Sequence, residues 1–187
     1  SLLKQAVIKE LGLLNKDFRT GVDDITYAEI KDVEKLDLSH WNLEDITGIE
    51  YFVNLKTLNL KGNKFKTVNL FNNSSLEDLD LSDNYISTYS LSSSNVLKSL
   101  DLSNNDIETI DVSAMSNLER LDISNNELVS IDISKLTSLI NLNLNTNDIK
   151  VLDLSKNISL VEVDISNNLI ELIDISKADN INSLNIS

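Results

Sequence analysis

The chain has 187 residues, a formal net charge of −14, no cysteine, no proline and four glycines. Binding to nucleic acid or to an anionic membrane surface requires clustered Lys and Arg, so this charge argues against both. No apolar run approaches the roughly 20 residues that cross a bilayer. The length suits one domain, and the acidity favours, if anything, a basic partner. The absence of cysteine fits the cytosol and also secreted bacterial proteins that avoid disulfides.

Residues 1–32 are predicted to be helical and to differ from the rest of the chain. Apolar side chains from Leu2 to Leu14 recur at helical spacing, which predicts an amphipathic helix from Leu2 to about Leu14. A second short helical turn is predicted over Thr26 to Lys31, directly before the first strand.

From Leu55 onward the sequence repeats every 21 residues, after a 22-residue copy that starts at Val33. The clearest copy, residues 97–107, reads Leu-x-x-Leu-x-Leu-x-x-Asn-x-Ile, which is the leucine-rich-repeat motif. Several copies in phase argue strongly against a chance match. We therefore predict one continuous repeat domain over 33–187, with about eight repeats and a truncated last one. The 21-residue copies open at Leu55, Leu76, Leu97, Leu118, Leu139, Leu160 and Ile181.

We number each repeat from its opening apolar residue. Positions 4 and 6 are apolar and alternate with outward residues, which predicts a strand and, on stacking, a parallel sheet with about 4.8 Å between strands. The same spacing returns ten residues later, as in Ile107-x-x-Ile110-x-Val112. Because these second halves are rich in β-branched residues, we predict short strands or extended chain on the far side. The predicted fold is a leucine-rich-repeat solenoid, mostly β in content, whose open end is covered by the helical N-terminal cap.

An asparagine recurs at position 9 of the repeats. Its amide can donate to and accept from backbone groups where the chain turns inside the coil. Burying such a turn without partners would cost about 1–3 kcal/mol per group. We therefore predict a structural rather than a ligand-binding role for this asparagine ladder, which consists of Asn63, Asn84, Asn105, Asn126, Asn147 and Asn168.

Two stretches resemble bacterial leucine-rich-repeat surface proteins of the internalin-like group. Residues 25–55, which contain the end of the cap and the first repeat, are similar to the start of many such domains. The 21-residue repeat with a nested Leu-Asp-Leu-Ser resembles the internalin J type. The resemblance covers essentially the whole chain and implies an α/β-class repeat fold in a secreted or wall-anchored protein, often an adhesin. It carries over no binding residue, because members bind different partners. A cysteine often stands at position 6 in that type, where this chain has Leu81, Leu102, Ile123, Leu144 and Ile165.

Position 5 forms an acidic column on the predicted concave strand face. Like charges about 4.8 Å apart repel by somewhat under 1 kcal/mol per neighbour in water. A cationic partner, or Arg120 at position 3, would relieve this repulsion. The second-half strands carry a similar column from Asp111 to Asp174, which favours repeat composition and solubility over a site. The residues that we predict to contact a partner are Arg120, Asn141, Asn143, Asn145 and Glu162, flanked by Asp80, Asp101 and Asp122, with Tyr85 as an aromatic anchor.

All nine aromatic residues lie between Phe18 and Tyr89. We expect Trp41, Tyr51 and Phe52 to pack the cap against the first coil. Phe71 stands where later copies have serine, and Tyr85 stands at an outward position. Exposed aromatic residues are typical binding anchors, so for these two we leave open whether they pack or bind a partner.

Metal binding and catalysis have little support. Residues 101–106 offer oxygen ligands but lack the glycine and the terminal glutamate of an EF-hand loop. His40 is the single histidine, there is no Gly-x-Ser-x-Gly motif, and a ladder of carboxylates lacks a pocket that would separate their pKa values. We therefore predict no enzyme activity, no metal and no cofactor.

The predicted function is that of an extracellular, cell-surface or secreted module that recognises a host or cell-surface protein or glycan through its concave face. No nucleic acid or membrane insertion is expected, and the oligomeric state is left open. The alternative is a structural spacer in a larger cell-wall or secreted protein. Because the terminal strand exposes backbone and apolar groups, we expect these residues to be part of a longer protein, or another segment to cover Ile181–Ser187.

Overall fold

The computed structural model describes residues 1–13, 25–91 and 96–187. Helix α1 spans Leu2–Glu10, and the Ser1 hydroxyl caps it by accepting a hydrogen bond from the Lys4 N–H at 3.2 Å. The prediction that this helix continues to about Leu14 is wrong, because the helix ends at Glu10 and Gly12 takes a left-handed backbone conformation at φ 62°. Leu14 itself lies outside the described residues. Helix α2 spans Tyr27–Ile30 and begins where the Thr26 N–H donates to Glu29 Oε2 at 2.8 Å.

In the described part of the chain, eight parallel strands form one long sheet, in which each strand pairs in register with the strand of the next coil. The middle residue of a strand points into the core and the two flanking residues point outward, as the period-two pattern predicts. We call the outer surface of this sheet the concave face. The strands are β1 (Lys35–Asp37), β2 (Thr57–Asn59), β4 (Asp78–Asp80), β6 (Ser99–Asp101), β7 (Arg120–Asp122), β8 (Asn141–Asn143), β10 (Glu162–Asp164) and β12 (Ser183–Asn185).

Among the described residues, the far side of the coils carries two short parallel strand pairs. Strand β3 (Thr67–Leu70) pairs with β5 (Thr88–Leu91), and β9 (Val151–Asp153) pairs with β11 (Leu172–Asp174). In the first coil the corresponding far-side segment forms no strand, and a 3₁₀ turn at Ile49–Tyr51 follows it. The predicted leucine-rich-repeat solenoid, mostly β in content, is confirmed.

One apolar core runs along the coils and continues into the helices. In the first seven coils the side chains at positions 4 and 6 are almost fully buried, as at Leu100 and Leu102, whereas Leu184 and Ile186 of the last coil are exposed. Helix α1 buries Ala6 and Val7 in the same core and lies against β1. The helix therefore covers the apolar side chains of the first coil that a solenoid end would leave in water.

The position-9 asparagines connect each coil to the coil before it. The Oδ1 of Asn105 accepts a hydrogen bond from the Ile86 N–H at 2.8 Å, and its Nδ2 donates to the carbonyls of Leu81 and Leu102, both at 3.0 Å. One side chain thus satisfies three backbone groups in two coils. Each of the other five asparagines at this position, from Asn63 to Asn168, likewise accepts from a backbone N–H of the preceding coil and donates to carbonyls of both coils.

The turn at the other end of the coil is also tied to its neighbour, by side chains that the sequence pattern did not reveal. At position 21, Asn180 Nδ2 donates to the Ile158 carbonyl at 2.8 Å and Ser159 Oγ donates to the Thr137 carbonyl at 3.1 Å. At position 19, the buried Nδ2 of Asn157 donates to two carbonyls of the preceding coil, while its Oδ1 is buried without a hydrogen-bond partner. Polar side chains therefore join neighbouring coils at both turns.

Position 8 takes a left-handed backbone conformation in every coil from the first to the seventh. Asn and Asp tolerate a positive φ, which explains why an asparagine or aspartate usually precedes the ladder asparagine. The first two coils carry His40 and Gly62 at this position. Thr146 is the one β-branched residue there, and its side chain is strained at φ 55°. The residues with this conformation are His40, Gly62, Asp83, Asn104, Asn125, Thr146 and Asn167.

We expect Asn105→Ala to lower the free energy of unfolding by about 3 kcal/mol or more, because it leaves one N–H and two carbonyls without their partner. Urea unfolding followed by circular dichroism measures this change. Asn72→Ala, at an exposed asparagine outside the ladder, is the control and should stay within about 0.5 kcal/mol of the parent chain. Equal effects of the two substitutions would contradict the role of the ladder.

We expect Thr146→Asn to stabilise the fold by about 1 kcal/mol, because asparagine adopts the left-handed conformation with less strain. For a chain of this size the thermal midpoint would rise by about 2–4 °C. The reverse change at an equivalent site, Asn125→Thr, should lower the midpoint. A fall in the midpoint for Thr146→Asn would show that strain at this position is negligible.

Candidate binding surface

A shallow cavity of about 670 Å³ lies on the concave face, over strands β6, β7, β8, β10 and β12. It brings six of the nine predicted contact residues together. Asp80 lies on the adjacent strand β4, Asn145 follows the end of β8, and Tyr85 lies at the turn after β4 with 55% of its surface exposed. The six residues that line the cavity are Asp101, Arg120, Asp122, Asn141, Asn143 and Glu162.

Three asparagine side chains of one coil form hydrogen bonds to the coils on both sides. Asn141 Nδ2 donates to Glu162 Oε2 at 2.6 Å, and Asn143 Nδ2 donates to Asp122 Oδ2 at 2.8 Å. Asn145 Nδ2 donates to Ser166 Oγ at 2.6 Å. These bonds fix the orientation of the amides, so the centre of the cavity is held in one arrangement before a partner arrives.

Arg120 is the one cationic side chain among the residues that line the cavity, and 52% of its side chain is exposed. Its guanidinium nitrogens stand 3.8 Å from Asp78 Oδ1 and 3.8 Å from Glu119 Oε2. A hydrogen-bonded ion pair is shorter, at about 2.7–2.9 Å. The guanidinium therefore retains donors for a partner. Its carboxylate neighbours within 4 Å, Asp78 and Glu119, stand at positions 3 and 2 of their repeats and do not belong to the position-5 column.

The position-5 aspartates have a local structural task. Asp101 Oδ1 accepts hydrogen bonds from the N–H of Ser103 at 2.9 Å and from its hydroxyl at 2.7 Å. On the far side, Asp111 Oδ1 accepts from the Ser113 N–H in the same way. Aspartate side chains form such turns readily. The recurrence of Asp-x-Ser on both sides of the coil thus follows from the turn that ends each strand.

Asp101 on the concave face and Asp132 on the far side differ in their electrostatic environment. Burial raises the pKa of Asp101, and the neighbouring charges of Asp122 and Asp80 raise it further. Hydrogen bonds from Ser134 lower the pKa of Asp132 on the far side, which lies in solvent. The negative charge of Asp101 is therefore costly in the folded state.

Asp164, on the same face, differs, because the effect of burial is outweighed by hydrogen bonds from Ser166 and Asn185, which lower its pKa. A partner that supplies positive charge beside Asp101 would relieve the local cost.

The aromatic residues separate into packed and exposed groups. Phe52 is buried, and Trp41 is half-buried below Lys9, whose Nζ lies 4.9 Å from the ring centroid. Tyr51 is 59% exposed, so it is largely in solvent. Phe71 and Tyr85 are 61% and 55% exposed and remain available for contacts.

Within the described residues, no three His, Cys, Asp or Glu side chains are grouped so that they could hold a metal ion. In the same part of the chain, no helix combines the length and apolarity needed to cross a bilayer.

The family model described as the Endo-beta-N-acetylglucosaminidase EndoS LRR domain matches residues 3–126, which is more than half of the chain. The chain belongs to this leucine-rich-repeat family. A Leucine Rich Repeat model also matches residues 117–139. No curated protein sequence matches the chain.

Solved structures place this family member among internalin-like proteins. The functional domain of InlJ from Listeria monocytogenes is 27% identical, with a TM-score of 0.88 over 98% of this chain and 40% of that one. Internalin C2 from Listeria monocytogenes is 22% identical, with a TM-score of 0.68 over 100% and 92% of the two chains. A leucine-rich-repeat protein of Leptospira interrogans is 20% identical, with a TM-score of 0.65 over 86% and 50%.

The prediction that the chain is an internalin-like leucine-rich-repeat protein is confirmed. The InlJ domain includes a cysteine ladder, whereas this chain has no cysteine. This chain spans 40% of the InlJ chain that it matches. The shared fold is a protein-interaction module and is typically non-enzymatic.

We expect Asp101→Asn to raise the thermal midpoint at pH 7 by a few degrees, which corresponds to about 1 kcal/mol or less. The amide keeps an acceptor for Ser103 and removes a charge whose pKa is raised in the folded state. The gain should vanish below about pH 3.9, the ordinary aspartate pKa, where the parent carboxyl is protonated in both states.

Asp132→Asn is the matched control, because the pKa of Asp132 is lowered in the folded state. The ionised form of Asp132 stabilises the fold above the ordinary aspartate pKa, and this contribution is lost as the pH falls through the folded-state pKa. The control should therefore not raise the midpoint at pH 7. A rise of equal size in both variants would contradict the electrostatic difference between Asp101 and Asp132.

Proposed function

We propose that the chain is the recognition module of a bacterial surface or secreted protein and that it binds a host or cell-surface protein through its concave face. The division into a cap over 1–32 and repeats over 33–187 belongs to this proposal, with the cap protecting the core and the repeats presenting the binding face. The exposed and weakly paired Arg120 at the centre of the acidic cavity is the observation that carries the proposal.

Rigid presentation is the proposed mechanism. The side chains of Asn141, Asn143 and Asn145 are already fixed by hydrogen bonds between coils. A partner therefore does not have to immobilise them, and this reduces the entropy cost of association. A surface that is ordered in advance converts more of its contact energy into affinity.

The charge pattern indicates the chemistry of the partner. Arg120 offers planar guanidinium donors that suit a carboxylate. Asp101 and Asp164 lie in the same cavity and suit basic groups on either side of that carboxylate. We therefore propose a partner surface with an acidic group between basic ones. The net charge of −14 would attract such a basic surface at long range.

Retention of the purified chain on host-cell surfaces and matrix proteins, at low and physiological salt, tests this proposal. We expect saturable binding at physiological salt that weakens about tenfold or more in Arg120→Ala and is partly restored in Arg120→Lys. Lys150→Ala, which removes one exposed positive charge on the far side, is the matched control and should bind within about twofold of the parent chain.

Three results would reject the proposal. Binding only at low salt would mean that the carboxylates act as a diffuse charge. The absence of any binding would favour the structural spacer. Attachment of the whole protein that is unchanged after Arg120 and Tyr85 are replaced together would favour the spacer as well.

A further inference from the structure

Tyr89 interrupts the far-side sheet. It occupies position 14 of its coil, where the neighbouring coils carry Val68 and Ile110. The phenol is longer than these side chains, and its hydroxyl donates to the Asp111 carbonyl at 3.0 Å and accepts from the Asp111 N–H at 3.2 Å. The N–H and the carbonyl of Asp111 would otherwise continue the hydrogen bonding of the far-side sheet. Here both groups are paired with the Tyr89 side chain. Burial raises the pKa of Tyr89 to about 12, so the phenol remains neutral and keeps both bonds at ordinary pH.

A groove of about 500 Å³ lies along this interruption, between β5 and the next coil. Its floor is apolar and consists of the half-buried side chains of Tyr89 and Leu91 and the buried side chain of Met115. Phe71 forms one wall and is 61% exposed, although the later coils have serine at the same position.

The rim of the groove is polar and nearly uncharged. Hydroxyl groups surround the apolar floor, and a single carboxylate accompanies them. Hydrogen bonds from Ser113 lower the pKa of that carboxylate, Asp111, which therefore stays ionised and accepts hydrogen bonds strongly. The rim residues are Ser87, Thr88, Ser90, Thr109 and Asp111.

We propose that this far-side groove binds a neutral glycan, with a sugar ring stacked on Phe71 and its hydroxyls bonded to the rim. A pyranose has an apolar C–H face and a polar edge, and the groove presents the complementary arrangement of an exposed aromatic ring beside hydroxyls and one carboxylate. Small-molecule sites generally combine such an apolar surface with a few polar groups that fix orientation. The single anionic group disfavours sialylated or sulfated sugars.

An extended peptide fits this groove less well. A peptide strand would have to pair with the edge of β5 that faces the next coil. That coil already lies along this edge and is held there by the two hydrogen bonds between the Tyr89 hydroxyl and the Asp111 backbone. The short hydroxyl side chains of the rim match the many small donors and acceptors of a sugar. The site lies on the side of the solenoid opposite the concave face and is independent of recognition by Arg120.

A glycan microarray that carries matched neutral and sialylated oligosaccharides tests the proposal. We expect the chain to bind neutral glycans and to bind their sialylated counterparts more weakly. Phe71→Ala should reduce neutral-glycan binding about tenfold or more, because it removes the stacking surface, whereas Phe71→Tyr should retain it. Asp111→Asn keeps an acceptor for Ser113 and should reduce binding to a smaller extent.

Tyr85→Ala is the matched control, since it removes an aromatic side chain of similar exposure at a different turn. Circular dichroism of Phe71→Ala would verify the fold. Equal loss in Tyr85→Ala and Phe71→Ala, unchanged binding in Phe71→Ala, or no neutral glycan bound above background would overturn the proposal. Arg120→Ala should leave glycan binding unchanged, so the outcome here is separate from the outcome for the concave face.

Discussion

Each turn of the solenoid folds polar backbone groups into the interior, and these groups must find partners there. The position-9 asparagine meets this constraint by accepting one N–H and donating to two carbonyls, as at Asn105. Because those groups belong to two coils, no coil completes its own hydrogen bonds. Stability is therefore a property of neighbouring coils, which is the general behaviour of repeat proteins. The apolar positions can be filled by Leu, Ile or Val in any coil, since the turns fix the spacing.

The Asp-x-Ser turn repeats on both sides of the coil, yet the surroundings give it different electrostatic consequences. On the concave face burial raises the pKa of Asp101, whereas on the far side the Ser134 hydrogen bonds lower the pKa of the exposed Asp132. Nine of the 30 acidic residues of the chain, all within the described residues, thus belong to Asp-x-Ser turns, in a role set by the repeat. Features that distinguish one coil from another are more informative about recognition. Arg120 on the concave face and Phe71 on the far side are such departures from the repeat.

The sequence was sufficient to predict the coil period, the long parallel sheet and the short far-side strands, because apolar spacing determines them directly. The positive φ of Thr146 and the donors at position 21, such as Asn180, were not predicted, since backbone conformation and bonds between coils leave little trace in spacing alone. For the candidate site, the sequence predicted a face and nine contact residues, six of which line one cavity. Which carboxylates approach Arg120, and how Tyr89 reaches the next coil, depend on side-chain length and rotamer and become visible only in three dimensions.

The chain has one tryptophan, and the fold places it at the junction of α1 with the first coils. The backbone N–H of Trp41 donates to Asn63 Oδ1 at 3.1 Å, so its position depends on the second coil as well. Its fluorescence therefore reports the first two coils, whereas far-ultraviolet circular dichroism averages over the whole array. The two signals would coincide if all coils unfold together and would separate if the array opens coil by coil. The protein thus contains an intrinsic optical probe of how far cooperativity extends along a solenoid.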